Sequence, residues 1–496
     1  MYILAIDQST AGTKAIIFAA DGSVAARSDI SHRQITNDRG WVEHDPVEIW
    51  QNTLAASRQT LVQSKINPEQ IAALAITNQR ETAVCWDRVT GEPVYNAIVW
   101  QCGRAADIVG RLAKAGAASL VRQKTGLHLS PFFSAAKIAW ILENIPAAAD
   151  LQKEGRLCCG NIDAWLLFQM TGGKAFKTDF SNASRTQLLN LDSLDWDDEI
   201  MALFGINRNS LPELGMSDRH FGETTLDGLF DRPVPIRAML GDSHAALFAN
   251  SCLQPYTAKA TFGTGTSVMM NVGTRRQPPA TDSVVESLAW GVAGEIPYVL
   301  EGNFNYSGAI IRWLKDDLQM LESARQAGEI ASRTASTQGV YLVPAFTGLA
   351  APYWDNDARA AFIGMSRLTR REHLIRAGEE AIAYQIRDIV EELNASCPAP
   401  LVRLAADGGA TRDSFLMQFV ADMLNVPIAV ASIEELSAAG AAYTAALAVG
   451  LSSRSQLLDN PCTAPVIPVM DPETRRQLYA GWKRAVAMVR TNNQED

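Results

Sequence analysis

Short apolar runs that break into small, polar turns recur along this chain. Residues 2–6 form such a run, and Asp7-Gln-Ser-Thr-Ala-Gly-Thr-Lys14 follows it. Residues 15–19 and 23–28 repeat the run on either side of Asp21-Gly22. Strand, turn, strand, hairpin, strand is the reading, with the first turn displaying a carboxylate and several hydroxyls. Helical spacing then takes over. Asp45 can cap, Pro46 suits the first turn and Glu48 can complete a capping box, so a helix is expected from 46 to about 64 with Trp50, Leu54 and Leu61 on one face. A strand at 71–76 precedes the polar turn Thr77-Asn-Gln-Arg-Glu81. Returns follow at 82–86 and 97–100, then helices at 133–145 and 162–170, the second stopped by Gly172-Gly173.

Near the middle of the chain the apolar run 238–240 ends in Gly241-Asp242, and Ser243, His244 and a small-residue stretch open a helix. A carboxylate at that junction lies at a strand tip and beside a helix N-terminus, where ligands of open α/β sheets are met. The opening pattern then returns: a strand at 258–262, Gly263-Thr-Gly-Thr-Ser267, and a strand at 268–272. The second half continues with a helix at 306–321, a loop at 343–354, a long helix at 372–393 and a strand at 401–405. Asp407-Gly-Gly-Ala410 comes next, then helices at 414–424, 437–449 and 472–490. The echo suggests a duplicated α/β fold whose halves, 1–249 and 250–496, face each other.

Composition narrows the classes. The 496 residues are 47% hydrophobic and 20% charged, with a net charge of −10. That balance suits a globular protein and lacks the basic face that nucleic acid requires. It leaves an anionic substrate open, because Mg²⁺ and backbone N–H groups can neutralise phosphates locally. The seven cysteines, Cys85, Cys102, Cys158, Cys159, Cys252, Cys397 and Cys462, form no CxxC pair, and the six histidines form no HxxxH or HxH pair. Buried thiols in a reducing compartment are expected, without a transition-metal site. The N-terminus has no basic segment before its apolar run, and the low-polarity run 436–451 is too short to span a bilayer. A cytoplasmic chain that meets no membrane is the expectation.

There is no GxxxxGK[ST], no GxGxxG after a strand and no protein-kinase signature set. What remains are strand-ending turns with the parts that phosphoryl transfer needs: a base, a metal-binding carboxylate and backbone donors. Asp7 can bind Mg²⁺ directly or through water, and Asp242 can accept a proton from a hydroxyl nucleophile. Thr10, Gly12 and Thr13, then Thr264 and Gly265, then Gly408 and Gly409 offer hydroxyls and close backbone approach to a nucleotide. Taken singly, an Asp after a strand is a turn former and Gly-Thr-Gly is a turn. Three echoing loops around an acidic pair move the balance toward a nucleotide site.

The motifs go further. Ala5-Ile-Asp7-Gln8 with Thr10, Ile76-Thr-Asn-Gln-Arg-Glu81-Thr82, Tyr95 to Gln101, and Thr178-Asp179 with Ser181-Asn-Ala-Ser-Arg185-Thr186 come first. Gly241-Asp242, Phe262-Gly-Thr-Gly265, Val343 to Gly348 with Ala351-Pro-Tyr-Trp354, and Asp407-Gly-Gly-Ala410 with Phe415-Leu-Met-Gln-Phe419 complete the set. Over nearly its whole length the chain resembles the FGGY family of carbohydrate kinases, and within it the glycerol kinase branch. The resemblance implies two actin-like (ribonuclease H-like) ATPase domains with a cleft between them, the substrate and base on the first and the nucleotide on the second. It implies ATP and Mg²⁺, with Asp242 as general base and Asp7 and Asp242 at the metal. It implies Arg80, Glu81 and Trp100 around the substrate, and Thr10, Thr264, Gly308 and Gly409 at the nucleotide.

Departures from that branch bear on the substrate. Phe132 stands where glycerol kinases typically have Tyr, Ser243 where they have Gln, and Ser267 where they have an aromatic. Two bulky groups become serines, which enlarges the pocket and weakens packing against a small triol. His244 beside Asp242 resembles sugar-specific branches. On the nucleotide side Arg312 replaces Gln and Asp413 replaces Asn. The Gly-Gly-Arg loop that serves effector binding in some glycerol kinases is absent around Phe230-Asp-Arg-Pro233. The expected activity is ATP-dependent phosphorylation of a terminal hydroxyl of a sugar or polyol by a dimer or tetramer. Phosphorylation of glycerol itself is the nearest alternative, and a sugar sensor or actin-like module stands well behind.

Overall fold

The computed structural model describes residues 1–459 and 463–491, so Cys462 lies outside the described residues. Contacts divide the chain into two compact units. The first is Met1–Ser251 with Ser287–Tyr298 and Glu435–Asn460; the second is Cys252–Glu286, Val299–Glu434 and Pro461–Asp496. The chain therefore crosses between units several times instead of once near residue 249.

In the first unit, β1 (Tyr2–Gln8), β2 (Gly12–Ala19) and β3 (Val24–Ser31) form the expected meander, followed by α1 (Pro46–Ser64), β4 (Ile71–Asn78), β5 (Gly222–Thr224), β6 (Val234–Gly241) and α2 (Asp242–Ala249). The six-stranded sheet runs β5-β6-β4-β1-β2-β3. β1 pairs parallel with β4, and β4 parallel with β6, so Thr77 lies between Asp7 and Leu240, and Asn78 between Gln8 and Gly241. All but the first residue of β1 is buried, because a parallel centre covered on both faces has no polar side. Helix Ile162–Met170 covers one face through Trp165 and Phe168, both edge-on to Trp86. Asp45 caps α1 as expected, but Glu48 turns away to Arg33, so no capping box closes.

Helix Leu436–Ala448, near the far end of the sequence, packs on β4 and on α2 of this unit. Gly440 permits it: a Cβ there would stand 1.9 Å from the Ala245 carbonyl oxygen. The two helix backbones touch, and the helix that begins at Asp242 is braced from behind.

The second unit repeats the plan. β7 (Thr257–Phe262), β8 (Thr266–Gly273), β9 (Val285–Leu288) and β10 (Tyr298–Phe304) lead to α3 (Gly308–Asp316), α4 (Arg325–Arg333), α5 (Arg371–Ala395), β11 (Arg403–Gly408), α6 (Ser414–Leu424) and β12 (Ile428–Val430). The sheet runs β9-β10-β8-β7-β11-β12. β7 pairs antiparallel with β8 and parallel with β11, as β1 does with β2 and β4. The duplication inferred from two echoing turns thus extends to strand order. Three expectations shift. β10 escapes the periodicity because Glu301, Gly302 and Asn303 interrupt its apolar run; α3 is shorter than 306–321; and Asp407 and Gly408 belong to β11.

Candidate active site

The carboxyl ends of β1, β4 and β6 carry the polar groups of the first unit, as expected for a parallel centre. Asp242 is the first residue of α2, and its Oδ1 accepts the Ser243 N–H at 2.6 Å. Arg80 Nε lies 3.3 Å from Asp242 Oδ1 and 3.9 Å from Glu81 Oε1. A Cβ on Gly241 would come within 2.8 Å of Arg80 Cγ, so the glycine is what lets Arg80 lie across the strand end. The Gly241 N–H donates to Ser181 Oγ at 2.9 Å, which fixes the junction.

Glu81 has a left-handed backbone, φ 61°, a strain of the kind kept at functional sites. Arg185 Nε donates to Glu81 Oε1 at 2.5 Å, with both side chains buried. Sequence reasoning quoted Arg185 within a motif without giving it a role; its partner is more than a hundred residues away and only the fold brings them together. The pair fixes one Glu81 oxygen by a charge-assisted bond.

Trp100 and Phe132 meet edge to face at 5.5 Å, and Trp100 Nε1 donates to Thr10 Oγ1 at 3.0 Å. The Thr10 hydroxyl, assigned to the nucleotide, thus serves as an acceptor for Trp100. Buried Lys137 donates to the carbonyls of Pro131, Phe132 and Phe133 and pins the segment that bears Phe132. Ser243 is half-buried beside Asp242, whereas His244 is buried with Nε2 3.3 Å from Ser287 Oγ.

Gly12 and Thr13, expected in the turn, open strand β2, where a Cβ on Gly12 would meet the Ile30 carbonyl at 2.5 Å and Thr13 is fully buried. Asp7 is different. Its carboxyl is buried, accepts no hydrogen bond among the described residues and is pushed up to about 7. Burial is the main cause, Lys14 opposes it, and Asp242, Glu435 and Asp29 add to it. A second positive charge beside such an acid would restore its ionised form.

The second unit holds a cavity of about 750 Å³ lined by Gly308, Gly328, Glu379, Gly409, Ala410 and Asp413, among others. Gly308, Gly409 and Asp413 of the expected nucleotide set are brought together here. Arg312 is exposed on α3 and does not line the cavity. Thr264 and Gly265 make the β7–β8 turn, which the Thr264 carbonyl ties to the start of α3 by accepting the N–H groups of Ser307 and Ala309. Gly265 is needed because a Cβ would lie 2.3 Å from the Phe304 carbonyl, and Gly408, at φ 96°, because one would lie 2.2 Å from that of Phe262. Asp413 caps α6 through the Leu416 N–H. Ser267 also belongs to this unit, and its hydroxyl donates to Glu301 at 3.0 Å. Sequence reasoning missed Glu379, which sits amid an apolar helix pattern and offers no local signal.

Family models described as the FGGY family of carbohydrate kinases, N-terminal domain and C-terminal domain, match residues 2–249 and 258–449. Glycerol kinase 1 of Thermotoga maritima is 46% identical over 494 residues, covering 99% of this chain and 100% of that protein. The glycerol kinase of Caldanaerobacter subterraneus is 45% identical over 98% of each chain. Among solved structures, Plasmodium falciparum glycerol kinase with ADP superposes with a TM-score of 0.94 at 32% identity and 98% coverage of both chains. A ligand-bound xylulose kinase from Lactobacillus acidophilus, at 0.85 and 22% identity over 98% of each, shares the fold.

Proposed function

The chain belongs to the FGGY family of carbohydrate kinases, and from that premise we propose that its substrate is a polyol or sugar longer than glycerol, deprotonated by Asp242. The family assignment itself makes the protein a phosphotransferase with an alcohol acceptor, a sugar or polyol kinase built on the two-domain actin-like fold, with ATP as donor. The observation that carries the mechanism is the cluster at the carboxyl ends of β1, β4 and β6: Asp242 held by Arg80, and Glu81 held by Arg185. Arg80 supplies donors and Glu81 an acceptor, which suits the alternating hydroxyls of a polyol. Trp100 and Phe132 offer an apolar wall to its carbon chain. Asp242 takes the proton as the hydroxyl attacks the γ-phosphorus in line.

Mg²⁺ fits the residues present. Asp7 is a buried carboxyl that accepts no hydrogen bond among the described residues, Asp242 is a partly exposed carboxylate beside Arg80, and no group of three or more metal-binding side chains occurs among the described residues. Mg²⁺ is commonly held by one or two carboxylates with water and substrate phosphates. Asp7 and Asp242 would hold it directly or through water, and when bound it would neutralise charge on the transferring phosphate. Gly308, Gly409 and Asp413 support the second-unit cavity as the place of the nucleotide.

The longer substrate rests on Phe132, Ser243 and Ser267 as replacements for larger or more polar groups. Phosphorylation of glycerol is the second reading, favoured by full-length identity of 42–46% to proteins named glycerol kinase. Coupled ADP release across glycerol, tetritols, pentitols and ketoses decides. If glycerol gives the highest kcat/KM, the pocket argument fails. A homo-oligomer and a cytoplasmic location complete the proposal. No helix among the described residues is long and apolar enough to cross a membrane, and sedimentation with and without ATP separates a dimer or tetramer from an actin-like polymer.

A further inference from the structure

We propose that Glu379 reads the nucleobase edge, its carboxylic acid donating to a purine ring nitrogen and accepting from the exocyclic amine of adenine. The proposal rests on the reading of the second-unit cavity as the nucleotide's and names the group that recognises the base there.

Glu379 lies on α5 and lines the cavity of about 750 Å³. The residue is 2% exposed and its carboxyl has no hydrogen-bond or ion-pair partner among the described residues. A buried carboxyl without a partner is costly, and the neighbouring acid shows how such a group is normally satisfied: Glu380 accepts from Arg376 and from Tyr384. The charged group that faces Glu379 is Asp413, whose own carboxyl is occupied with the N-terminus of α6. Burial, reinforced by Asp413, pushes the Glu379 carboxyl well above the usual range, which favours its neutral form. Arg325 and Arg412, the cavity's cations, are on α4 and on the turn before α6, and neither pairs with Glu379. The cavity wall also includes the apolar or side-chain-free Ile311, Ile382, Leu416, Gly308, Gly328 and Gly409, together with the polar Glu329, Ser332 and Ser414.

A flat heterocycle can lie against such a wall. A neutral carboxylic acid offers one donor and one acceptor side by side, and adenine offers a ring-nitrogen acceptor beside an amine donor. The two satisfy each other in a cyclic pair. That pairing gives the unpartnered acid the partner that the protein alone does not supply.

The test uses the full-length enzyme with ATP and with the triphosphate of purine riboside, which lacks the 6-amino group. Wild type should prefer ATP in kcat/KM by roughly fivefold to tenfold, the worth of one hydrogen bond. E379Q presents an amide with the same donor–acceptor pair and should keep the preference. E379L removes both and should bring the two substrates to parity while melting no lower than wild type. G409V is the separate probe of the cavity: no atom lies within 4 Å of a Cβ built on Gly409, so the new side chain fills the space and should raise KM for both nucleotides. If G409V raises KM but E379L keeps the ATP preference, the nucleotide enters the cavity and Glu379 does not read it, which overturns the inference alone. Unchanged nucleotide kinetics in both variants overturn the assignment of the cavity as well. Loss of the preference in E379Q overturns the neutral-acid pairing.

Discussion

Replacing Asp242 by Asn separates chemistry from structure at the proposed site. The change removes one negative charge and keeps the shape, so the amide oxygen can still accept the Ser243 N–H that starts α2. The ion pair it breaks, Arg80 Nε to Asp242 Oδ1 at 3.3 Å, has one partner a third exposed. Such partly solvated pairs are worth about 1 kcal/mol or less. Melting should therefore move by no more than about 2–4 °C. Loss of a positioned base costs about 10²- to 10⁴-fold in turnover. The expected outcome is a folded variant with wild-type ADP affinity by calorimetry and kcat reduced by that factor in a coupled ADP-release assay. A second readout follows from the neighbouring acid: Asp242 helps raise the Asp7 carboxyl, so Asp7 should ionise at a lower pH in the variant. A kcat within about tenfold of wild type, with folding and ADP binding intact, would remove Asp242 from the mechanism.

Gly440→Ala places a Cβ 1.9 Å from the Ala245 carbonyl oxygen. It should lower the melting temperature and, because the contact backs the helix that begins at Asp242, lower kcat as well; a variant with unchanged melting would deny that the two helices touch. Arg185→Met removes the charge-assisted partner of buried Glu81 and leaves it Arg80 at 3.9 Å and the field of Lys137, a loss of about 3 kcal/mol. Glu81→Gln in the same chain should recover much of that stability without recovering activity. Asp163, fully buried and held by Thr178, has its carboxyl pushed up to about 7, chiefly by burial. Its contribution to stability is complete below the ordinary carboxylate range and is lost as pH rises through about 7. At roughly 1.4 kcal/mol per pH unit of displacement, Asp163→Asn should melt measurably above wild type at pH 8 and close to it at pH 4. Parallel melting curves at both pH values would contradict the burial argument.

Strand-ending turns could be read from the chain because a buried parallel strand must be apolar and must stop where polar groups meet water. That rule set Asp7 and Asp242 at strand tips, and the second-half echo led to a repeated strand order. It failed at β10, where Glu301 and Asn303 interrupt the pattern, and it drew the first turn too long, since Gly12 and Thr13 already belong to β2. Family motifs supplied Arg80 and Glu81 as residues and left their support unseen.

Local order along the chain determines hydrophobic period, caps and turn chemistry, and so these could be known from sequence alone. The acid–base cluster needed tertiary structure, because Arg185 reaches Glu81 across more than a hundred residues, and Gly440 seats a late helix against the one that carries Asp242. Glu379 is the plainest case: its neighbours along the helix give no signal of a role, and only the packing of α5, α6 and α4 makes it a buried carboxyl lining a cavity. Desolvation depends on what surrounds a group in space, and the sequence does not record those neighbours in order.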